Sequence, residues 1–193
     1  NPFTYGHRYL IEEASKQCKE VIVFIVEEDK SLFPFGERYK LVKEGTKDLS
    51  NVKVVPGGEY IISSATFPTY FIRQEDVRLK AYAEIDAGIF GKYFGPKFNI
   101  TKRFVGEEPY CIVTNAYNET LKEVLPKHGM ELIEIKRKEY NGSFISASKV
   151  RELIKNNNLE EVKNVVPEVT WKFLNSQKGK EIAEKIKKSN SPH

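Results

Sequence analysis

The feature that most constrains the fold of this chain is an uninterrupted apolar run, VIVFIV at residues 21–26. The run is rich in β-branched side chains and shows no alternation of apolar and polar residues, which is typical of a parallel strand buried on both faces. Three acidic residues, Glu27, Glu28 and Asp29, follow it directly. Because open α/β sheets bind ligands at the carboxyl ends of their strands, we expect a ligand near this edge.

Apolar strand patterns alternate with helical patterns along most of the chain. Strands are predicted at residues 21–26, 52–55, 100–105 and 131–135, and helices at residues 8–19, 37–49, 75–94, 116–127 and 146–155. This alternation predicts the α/β class with a Rossmann-like doubly wound parallel sheet. We expect one α/β domain over residues 1–155, and a C-terminal helical extension over residues 156–193 packed on the same domain.

Charge and composition exclude several classes of function. Residues 172–193 hold six lysines and two glutamates, which accounts for the whole net charge of +4. The rest of the chain is close to neutral, so we do not expect nucleic acid as a partner. No apolar run approaches the roughly 18 residues of a membrane span, and the two cysteines lack the spacing of a metal site. We therefore expect a cytoplasmic protein that does not bind a membrane.

Residues 1–8, NPFTYGHR, are interpreted as a loop that turns and then opens a helix. Pro2 fixes one backbone angle, and Gly6 permits either a close backbone approach or a positive φ. His7 lies where the helix begins, among N–H groups that favour an anion. Loops of this kind usually leave a parallel strand, so we expect that strand upstream of residue 1, in a longer protein.

A second helix start, ISASKVR at residues 145–151, carries hydroxyls and cations. We predict that these two stretches clamp one nucleoside triphosphate. The chain has no GxxxxGK(S/T) and no GxGxxG, since Gly88, Gly91 and Lys92 have the wrong spacing. P-loop kinases and dinucleotide-dependent oxidoreductases are therefore disfavoured.

The motif Thr4-x-Gly6-His7 resembles the (H/T)xGH signature of the nucleotidyltransferase superfamily, and residues 145–151 resemble its second signature, ISSTxxR. Longer stretches are similar to the C-terminal domain of the citrate (pro-3S)-lyase ligase family. They are NPFTYGHRYL at residues 1–10, EYIIS at 59–63, ATFPTYFI at 65–72, RFVGEEP at 103–109 and ISAS at 145–148. The resemblance extends to about residue 175.

The resemblance implies a ligase that uses ATP and Mg²⁺ to attach acetate to the prosthetic-group thiol on the acyl carrier subunit of citrate lyase, releasing AMP and pyrophosphate. Its catalytic residues would be His7, Thr4, Lys149 and Arg151. ATP would be bound by Asn1, Pro2, Phe3, Thr4, Gly6, His7, Arg103, Gly106, Glu108, Ile145, Ser146 and Ser148. We expect phosphate oxygens and water to hold Mg²⁺, so no metal ligand is named.

These residues have other interpretations. Ser146 and Ser148 can serve as helix caps, and Arg38 and Arg103 as surface ion-pair partners. The aromatic cluster at residues 67–71 fits either an acyl pocket or the core. The alternative functions are an adenylyltransferase of the same fold, resembling phosphopantetheine adenylyltransferase or a tRNA acetate ligase, and an inactive nucleotide-binding regulatory domain.

Overall fold

The computed structural model describes residues 1–68, 70 and 78–189, in which helices and strands alternate. The helices and strands, in chain order, are α1 (Tyr5–Gln17), β1 (Val21–Ile25), α2 (Phe35–Gly45), β2 (Val52–Pro56), α3 (Leu79–Ile89), α4 (Gly95–Lys97), β3 (Lys102–Gly106), α5 (Ile112–Val124), β4 (Glu131–Ile135), β5 (Glu139–Tyr140), β6 (Ser143–Phe144), α6 (Ala147–Lys155), α7 (Leu159–Val165), α8 (Glu168–Asn175) and α9 (Gln177–Lys188). Short 3-10 turns lie at Gly58–Tyr60 and Leu125–His128, and a π-helical turn at Phe90–Phe94. None of the helices formed by these residues is both long and apolar enough to cross a membrane.

The strands pair as the α/β class predicts. Strand β1 runs parallel to β2, from Val21 opposite Val52 to Ile25 opposite Pro56. Strand β3 runs parallel to β4, from Lys102 opposite Glu131 to Gly106 opposite Ile135. Strands β5 and β6 form a small antiparallel hairpin. The α/β class with parallel strands is therefore confirmed, whereas the doubly wound sheet and the domain boundary at residue 155 stay predictions.

Several helix boundaries differ from the predicted ones. Helix α1 begins at Tyr5 rather than residue 8, because Thr4 caps it. Helix α5 begins at Ile112, four residues before the prediction, where the carboxylate of Glu108 accepts from the N–H groups of Tyr110 and Cys111. Within the helix predicted over residues 75–94, the observed α-helix ends at Ile89 and the π turn follows it. The described residues do not include 69, 71–77 and 190–193. Part of the aromatic cluster and the start of that predicted helix therefore lie outside the described residues.

The described chain divides into two compact units. The first unit comprises residues 1–25, 29–56 and 137–193. Its larger core cluster is formed by buried side chains of α6 to α9 together with Phe33 and Ile145. In α6, Val150, Leu153 and Ile154 form the buried stripe that an amphipathic helix places towards a core. The helices that follow α6 therefore contribute to the same core as the second signature stretch.

A second core cluster of this unit anchors the N-terminal loop. Phe3 is buried with Ile11 of α1 and Leu41 of α2. A Cβ on Gly45 would lie 2.5 Å from the Phe3 ring, so glycine makes room for that ring. The backbone oxygen of Phe3 accepts a hydrogen bond from Thr170 Oγ1 of α8 at 2.8 Å. The packing of the Phe3 side chain and the hydrogen bond to its backbone oxygen thus hold the loop before α1 in place.

The second unit comprises residues 26–28 and 57–136. Helices α3 and α5 pack against each other in it. Its buried apolar side chains include Phe67, Ala83, Ala87, Phe90, Val113, Leu121 and Leu125. The π turn packs closely here, since a Cβ on Gly91 would lie 2.5 Å from the ring of His128.

Candidate functional site

Thr4 and His7 form a reciprocal cap at the start of α1. Thr4 precedes the helix in an extended conformation (φ −115°, ψ 166°), and its Oγ1 accepts a hydrogen bond from the backbone N–H of His7 at 3.3 Å. In return, Nδ1 of His7 accepts from the backbone N–H of Thr4 at 3.1 Å and lies 2.9 Å from Thr4 Oγ1. This capping box satisfies N–H groups that a helix start leaves unpaired. It also fixes the orientation of the imidazole.

These contacts define the protonation state of His7. A ring nitrogen that accepts from the N–H of Thr4 carries no proton, so the neutral ring has its hydrogen on Nε2. The pKa of His7 is lowered from 6.5 to about 4, first by desolvation and then by nearby positive charge, including that of Arg137. The residue is nevertheless exposed at the surface. Solvent therefore weakens the desolvation effect, while the hydrogen bond that Nδ1 accepts independently favours the neutral ring.

The His7 ring should remain neutral below the pH at which an ordinary histidine becomes charged. Because its folded-state pKa lies below that of the unfolded chain, the unfolded chain takes up the proton first as the pH falls. The neutral ring therefore stabilises the fold above pH 6.5, and this contribution is lost between pH 6.5 and about 4. An NMR titration of the His7 Cε1–H signal, assigned with His7→Gln, measures the midpoint. A midpoint at or above 6.5 would contradict the proposed state.

Gly6 brings the start of α1 against the residue that precedes the second signature helix. A Cβ on Gly6 would lie 2.7 Å from the backbone oxygen of Ile145, which is closer than a side chain allows. Ile145 is itself fixed, because it is buried and its N–H donates to the backbone oxygen of Lys138 at 2.9 Å. Gly6 is not among the glycines with positive φ. Close approach, rather than an unusual φ, is therefore the reason for glycine at this position.

Ser146 caps helix α6 as Thr4 caps α1. It has extended backbone angles (φ −140°, ψ 158°), and its Oγ accepts from the backbone N–H of Lys149 at 3.1 Å. The hydroxyl of Ser148 lies one residue inside the helix, and that residue is exposed. Lys149 is partly exposed, and its Nζ lies 3.3 Å from Glu152 Oε2. A capped helix start with an exposed hydroxyl and a cation is suited to a phosphate group.

Arg151 joins the two helix starts. Its Nη1 donates to Oδ1 of Asn1 at 2.8 Å, and its Nη2 donates to Oγ of Ser148 at 3.2 Å. The residue is only 6% exposed. The guanidinium therefore bonds both Asn1 and Ser148, and the catalytic role predicted for Arg151 stays a prediction.

Other predicted residues of the loop are enclosed. Pro2 and Phe3 are buried, and Thr4 is 1% exposed with its hydroxyl bonded to His7. The Phe3 ring stacks on the His7 ring with a centroid distance of 6.1 Å. The side chains of Phe3 and Thr4 therefore support the imidazole. Among the predicted loop residues, Asn1, Gly6 and His7 are the ones that retain partial or full exposure.

Three predicted ATP-binding residues belong to the second unit. Arg103 Nη2 donates to the hydroxyl of Tyr117 at 3.0 Å, and its guanidinium lies over the Phe90 ring at 4.2 Å. The backbone oxygen of Gly106 accepts from Asn118 Nδ2 at 3.0 Å. The carboxylate of Glu108 accepts from the backbone N–H groups of Tyr110 and Cys111, which precede α5. For each of these residues the second unit itself supplies the contacts, and a role in ATP binding stays a prediction.

Arg38, the remaining candidate cation, lies in the first unit. Its Nε donates to the backbone oxygen of Phe33 at 3.0 Å, and its Nη2 lies 3.4 Å from Asp29 Oδ1. Desolvation lowers the pKa of Arg38, and the ion pair with Asp29 opposes that shift. Its side chain is 13% exposed. These contacts fit the ion-pair interpretation of Arg38.

Sequence reasoning missed Asp86, the buried acid of the second unit. It is 1% exposed and accepts from Tyr117 Oη at 2.5 Å. Its spacing in the sequence indicates burial. Asp86 lies three residues after Ala83 and seven after Leu79, on the buried face of α3. A carboxylate on an otherwise apolar helical face requires hydrogen-bond partners, and this one has them.

Metal-ligating side chains do not cluster in the part of the chain that the structure describes. Within residues 1–68, 70 and 78–189, no three or more His, Cys, Asp or Glu side chains come together as a metal site would require. The two cysteines, Cys18 and Cys111, are free thiols.

Comparisons with known proteins identify the family. The family model described as citrate lyase ligase C-terminal domain matches residues 1–174. The chain is similar to citrate (pro-3S)-lyase ligase of Escherichia coli (strain K12), with 45% identity over 90% of this chain and 51% of the relative. The corresponding ligase of Klebsiella pneumoniae is 42% identical over 90% of this chain and 52% of its own.

A more local likeness relates part of the chain to an adenylyltransferase. Phosphopantetheine adenylyltransferase of Syntrophomonas wolfei is 41% identical over 56 residues, which is 28% of this chain and 35% of that protein. By contrast, the likeness to the ligases covers nearly the whole chain, although the chain spans only about half the length of those relatives. The predicted family is confirmed: the chain belongs to the citrate lyase ligase C-terminal domain family.

Proposed function

We propose that this chain is the catalytic domain of an ATP-dependent ligase that adenylylates acetate and then transfers the acetyl group to a thiol. That thiol belongs to the prosthetic group on the acyl carrier subunit of citrate lyase. Membership of the family and the names of the similar ligases support this proposal. We further propose the Rossmann-like doubly wound fold of the nucleotidyltransferase superfamily, which the local likeness to an adenylyltransferase supports.

The observation that carries the proposal is the meeting of the two signature stretches. Gly6 lies against the backbone of Ile145, and Arg151 bonds Asn1. Both capped helix starts therefore belong to one cluster of the first unit. A cluster with two helix starts, an exposed hydroxyl and a fixed imidazole is suited to a chain of phosphates.

The first proposed step is attack of an acetate oxygen on the α-phosphorus of ATP. The bond between the α-phosphorus and the bridging oxygen breaks, and pyrophosphate leaves with its electron pair. The nucleophile is already charged, so this step depends on positioning and on stabilisation of phosphate charge rather than on a strong base. The Nε2–H of His7 would donate to an α-phosphate oxygen. The hydroxyls and N–H groups of Ser146 and Ser148, with Lys149, would hold the β- and γ-phosphates.

The second proposed step forms the thioester. The thiol sulfur attacks the carbonyl carbon of acetyl adenylate, AMP leaves with the bonding electrons, and the thiol proton passes to solvent. Mg²⁺ would accompany ATP at this site, held mainly by phosphate oxygens and water. When bound, it would add positive charge beside the phosphates.

Exchange of labelled pyrophosphate into ATP tests the proposal. The purified chain with ATP and Mg²⁺ should catalyse exchange that depends on acetate, and should acetylate the reduced carrier subunit of citrate lyase. Exchange that depends on phosphopantetheine instead would identify an adenylyltransferase of the phosphopantetheine type. Acetate-dependent exchange followed by transfer to tRNA would identify a tRNA acetate ligase. Absence of any exchange, with ATP still bound, would favour a regulatory domain.

A further inference from the structure

Lys138 is a cation of the first unit that the two steps given above do not use. The residue is exposed, and its Nζ lies 5.8 Å from the centroid of the Tyr5 ring and 5.5 Å from that of the Tyr9 ring. An ammonium over the face of a tyrosine is attracted by the negative charge of the ring face. Two rings therefore hold this ammonium in place, although its side chain is exposed to solvent.

The two rings also place the ammonium beside the start of α1. Tyr5 is the first residue of that helix and Tyr9 lies four residues further on, so both side chains lie on one face. Helical side chains lean towards the N-terminus of their helix. A group that contacts both rings therefore lies towards the N-terminal end of α1, where Thr4 and His7 form their cap.

The backbone connects Lys138 to the second signature stretch. Its carbonyl oxygen accepts from the N–H of Ile145 at 2.9 Å, and Ile145 directly precedes the cap of α6. The backbone oxygen of Ile145 is in turn the atom that a Cβ on Gly6 would approach. The preceding residue, Arg137, contributes to the low pKa of His7. Lys138 is thus connected to both helix starts of the proposed phosphate site.

No carboxylate in the described part of the chain forms an ion pair with this ammonium. Glu12 and Glu13, the acids further along α1, pair with other cations. A cation beside the N-terminus of a helix also opposes the positive end of the helix dipole. An anion bound at the same place would compensate both positive charges.

The charge of the leaving group indicates which anion this is. Pyrophosphate leaves with several negative charges, and Lys149 was proposed above to help hold the β- and γ-phosphates. The Lys149 ammonium already lies 3.3 Å from Glu152 Oε2, so part of its charge is compensated. A further cation that is not engaged by a carboxylate suits a step that depends on stabilising phosphate charge. A lysine can supply this stabilisation, because it binds phosphate as a point charge.

We propose that Lys138, held by the rings of Tyr5 and Tyr9, binds the β- and γ-phosphates of ATP and stabilises pyrophosphate as it leaves. The identity of this anion rests on the proposed function. The lysine itself contacts the phosphates. Tyr9 is a positioning residue, because its ring keeps the ammonium beside the start of α1.

The test compares Lys138→Met with Lys43→Met. Lys43 of α2 is also exposed, and its Nζ lies 5.8 Å from the centroid of the Tyr39 ring. Its substitution therefore removes the same charge and the same kind of contact from the same unit. In acetate-dependent exchange, Lys138→Met should raise the KM for pyrophosphate about 10-fold, the effect of one hydrogen bond to a charged group. The KM for acetate should stay the same, and Lys43→Met should change neither constant.

Binding without turnover separates this inference from the proposed function. By calorimetry, Lys138→Met should weaken ATP and inorganic pyrophosphate about 10-fold each. AMP, which lacks the β- and γ-phosphates, should bind as before. If the chain lacked acetate-dependent exchange but kept this pattern, the ligase function would fail and the role of Lys138 would stand. If exchange proceeded and Lys138→Met bound ATP and pyrophosphate normally, or weakened AMP as much as ATP, the assignment would be refuted.

Conservative variants address the role of the rings and a purely structural role. Lys138→Arg keeps a cation and should retain most of the ATP affinity. Tyr9→Leu should weaken ATP about two- to fivefold, the effect of one exposed cation–π contact, and Tyr9→Phe, which keeps the ring, should weaken it less. If Lys138→Arg and Lys138→Met lost the same affinity together with a lower unfolding temperature, Lys138 would serve the fold alone.

The carrier subunit is the other partner that this exposed cation could contact. A set of exchange and transfer assays distinguishes the two. If Lys138→Met left the constants for ATP and pyrophosphate unchanged but raised the KM for the reduced carrier subunit, the ammonium would dock a protein surface. That result would overturn the assignment to the phosphates.

Discussion

Replacing His7 with glutamine should lower the rate of acetate-dependent pyrophosphate exchange by about 10²- to 10³-fold, the usual effect of removing one donor that faces developing charge. The fold should keep its stability. Glutamine is a standard third residue of a capping box, so its side-chain oxygen can replace Nδ1 of His7 as the acceptor for the Thr4 N–H. The donor fixed at Nε2 is lost, and that donor is the group proposed to contact the α-phosphate.

His7→Ala is the matched variant for this experiment. Alanine removes both the Nε2 donor and the Nδ1 acceptor for the Thr4 N–H. This variant should therefore lose the same turnover and, in addition, about 1 kcal/mol of stability in urea unfolding. Both variants should still bind ATP measurably by calorimetry, because the contacts proposed at the start of α6 remain. Turnover in His7→Gln within threefold of that of the unchanged chain would exclude the proposed role of the imidazole.

Gly6→Ala should have the second large effect. The added Cβ would lie 2.7 Å from the backbone oxygen of Ile145, and neither backbone can move without disturbing its helix start. Overpacking of this kind costs about 1–3 kcal/mol. A displacement near 1 Å between catalytic groups costs about 100-fold in rate. Exchange activity should therefore fall about 100-fold, accompanied by a lower unfolding temperature.

Gly36→Ala is the matched control for this substitution. Gly36 lies in α2, and a Cβ there would meet nothing within 4 Å. Alanine favours a helix by about 1 kcal/mol relative to glycine, so this variant should be as stable as the unchanged chain or more stable, with full activity. If Gly6→Ala also kept full activity and stability, the arrangement of the two signature stretches would not depend on the contact between Gly6 and Ile145.

The sequence was most informative where local chemistry determines structure. The apolar run at residues 21–26 predicted β1, which spans Val21–Ile25. Gly6 predicted a close backbone approach, although its neighbour is the backbone of Ile145 rather than a ligand. Ser146 predicted a helix cap, which the hydrogen bond from the Lys149 N–H confirms. Each of these predictions depends on a few adjacent residues.

Features that depend on tertiary contacts were not predictable in the same way. The role of Nδ1 of His7 as a capping acceptor follows from where helix α1 begins, which the prediction placed three residues late. The hydrogen bond between Arg151 and Asn1 joins two distant segments, and spacing alone does not specify it. The hydrogen bonds from Tyr117 to Asp86 and from Arg103 to Tyr117 similarly combine α3, α5 and β3.

Two hydrogen bonds of the first unit join residues that are far apart in the sequence, which affects the order in which the unit folds. The hydrogen bond from Arg151 to Asn1 spans 150 residues, and that from Thr170 to Phe3 spans 167. Closing such long loops costs more chain entropy than forming single helices, so these contacts form after the local structure. During synthesis, the loop before α1 must wait until α6 and α8 have left the ribosome. Binding of ATP would therefore report that the first unit has finished folding, and would stabilise the contacts that form last.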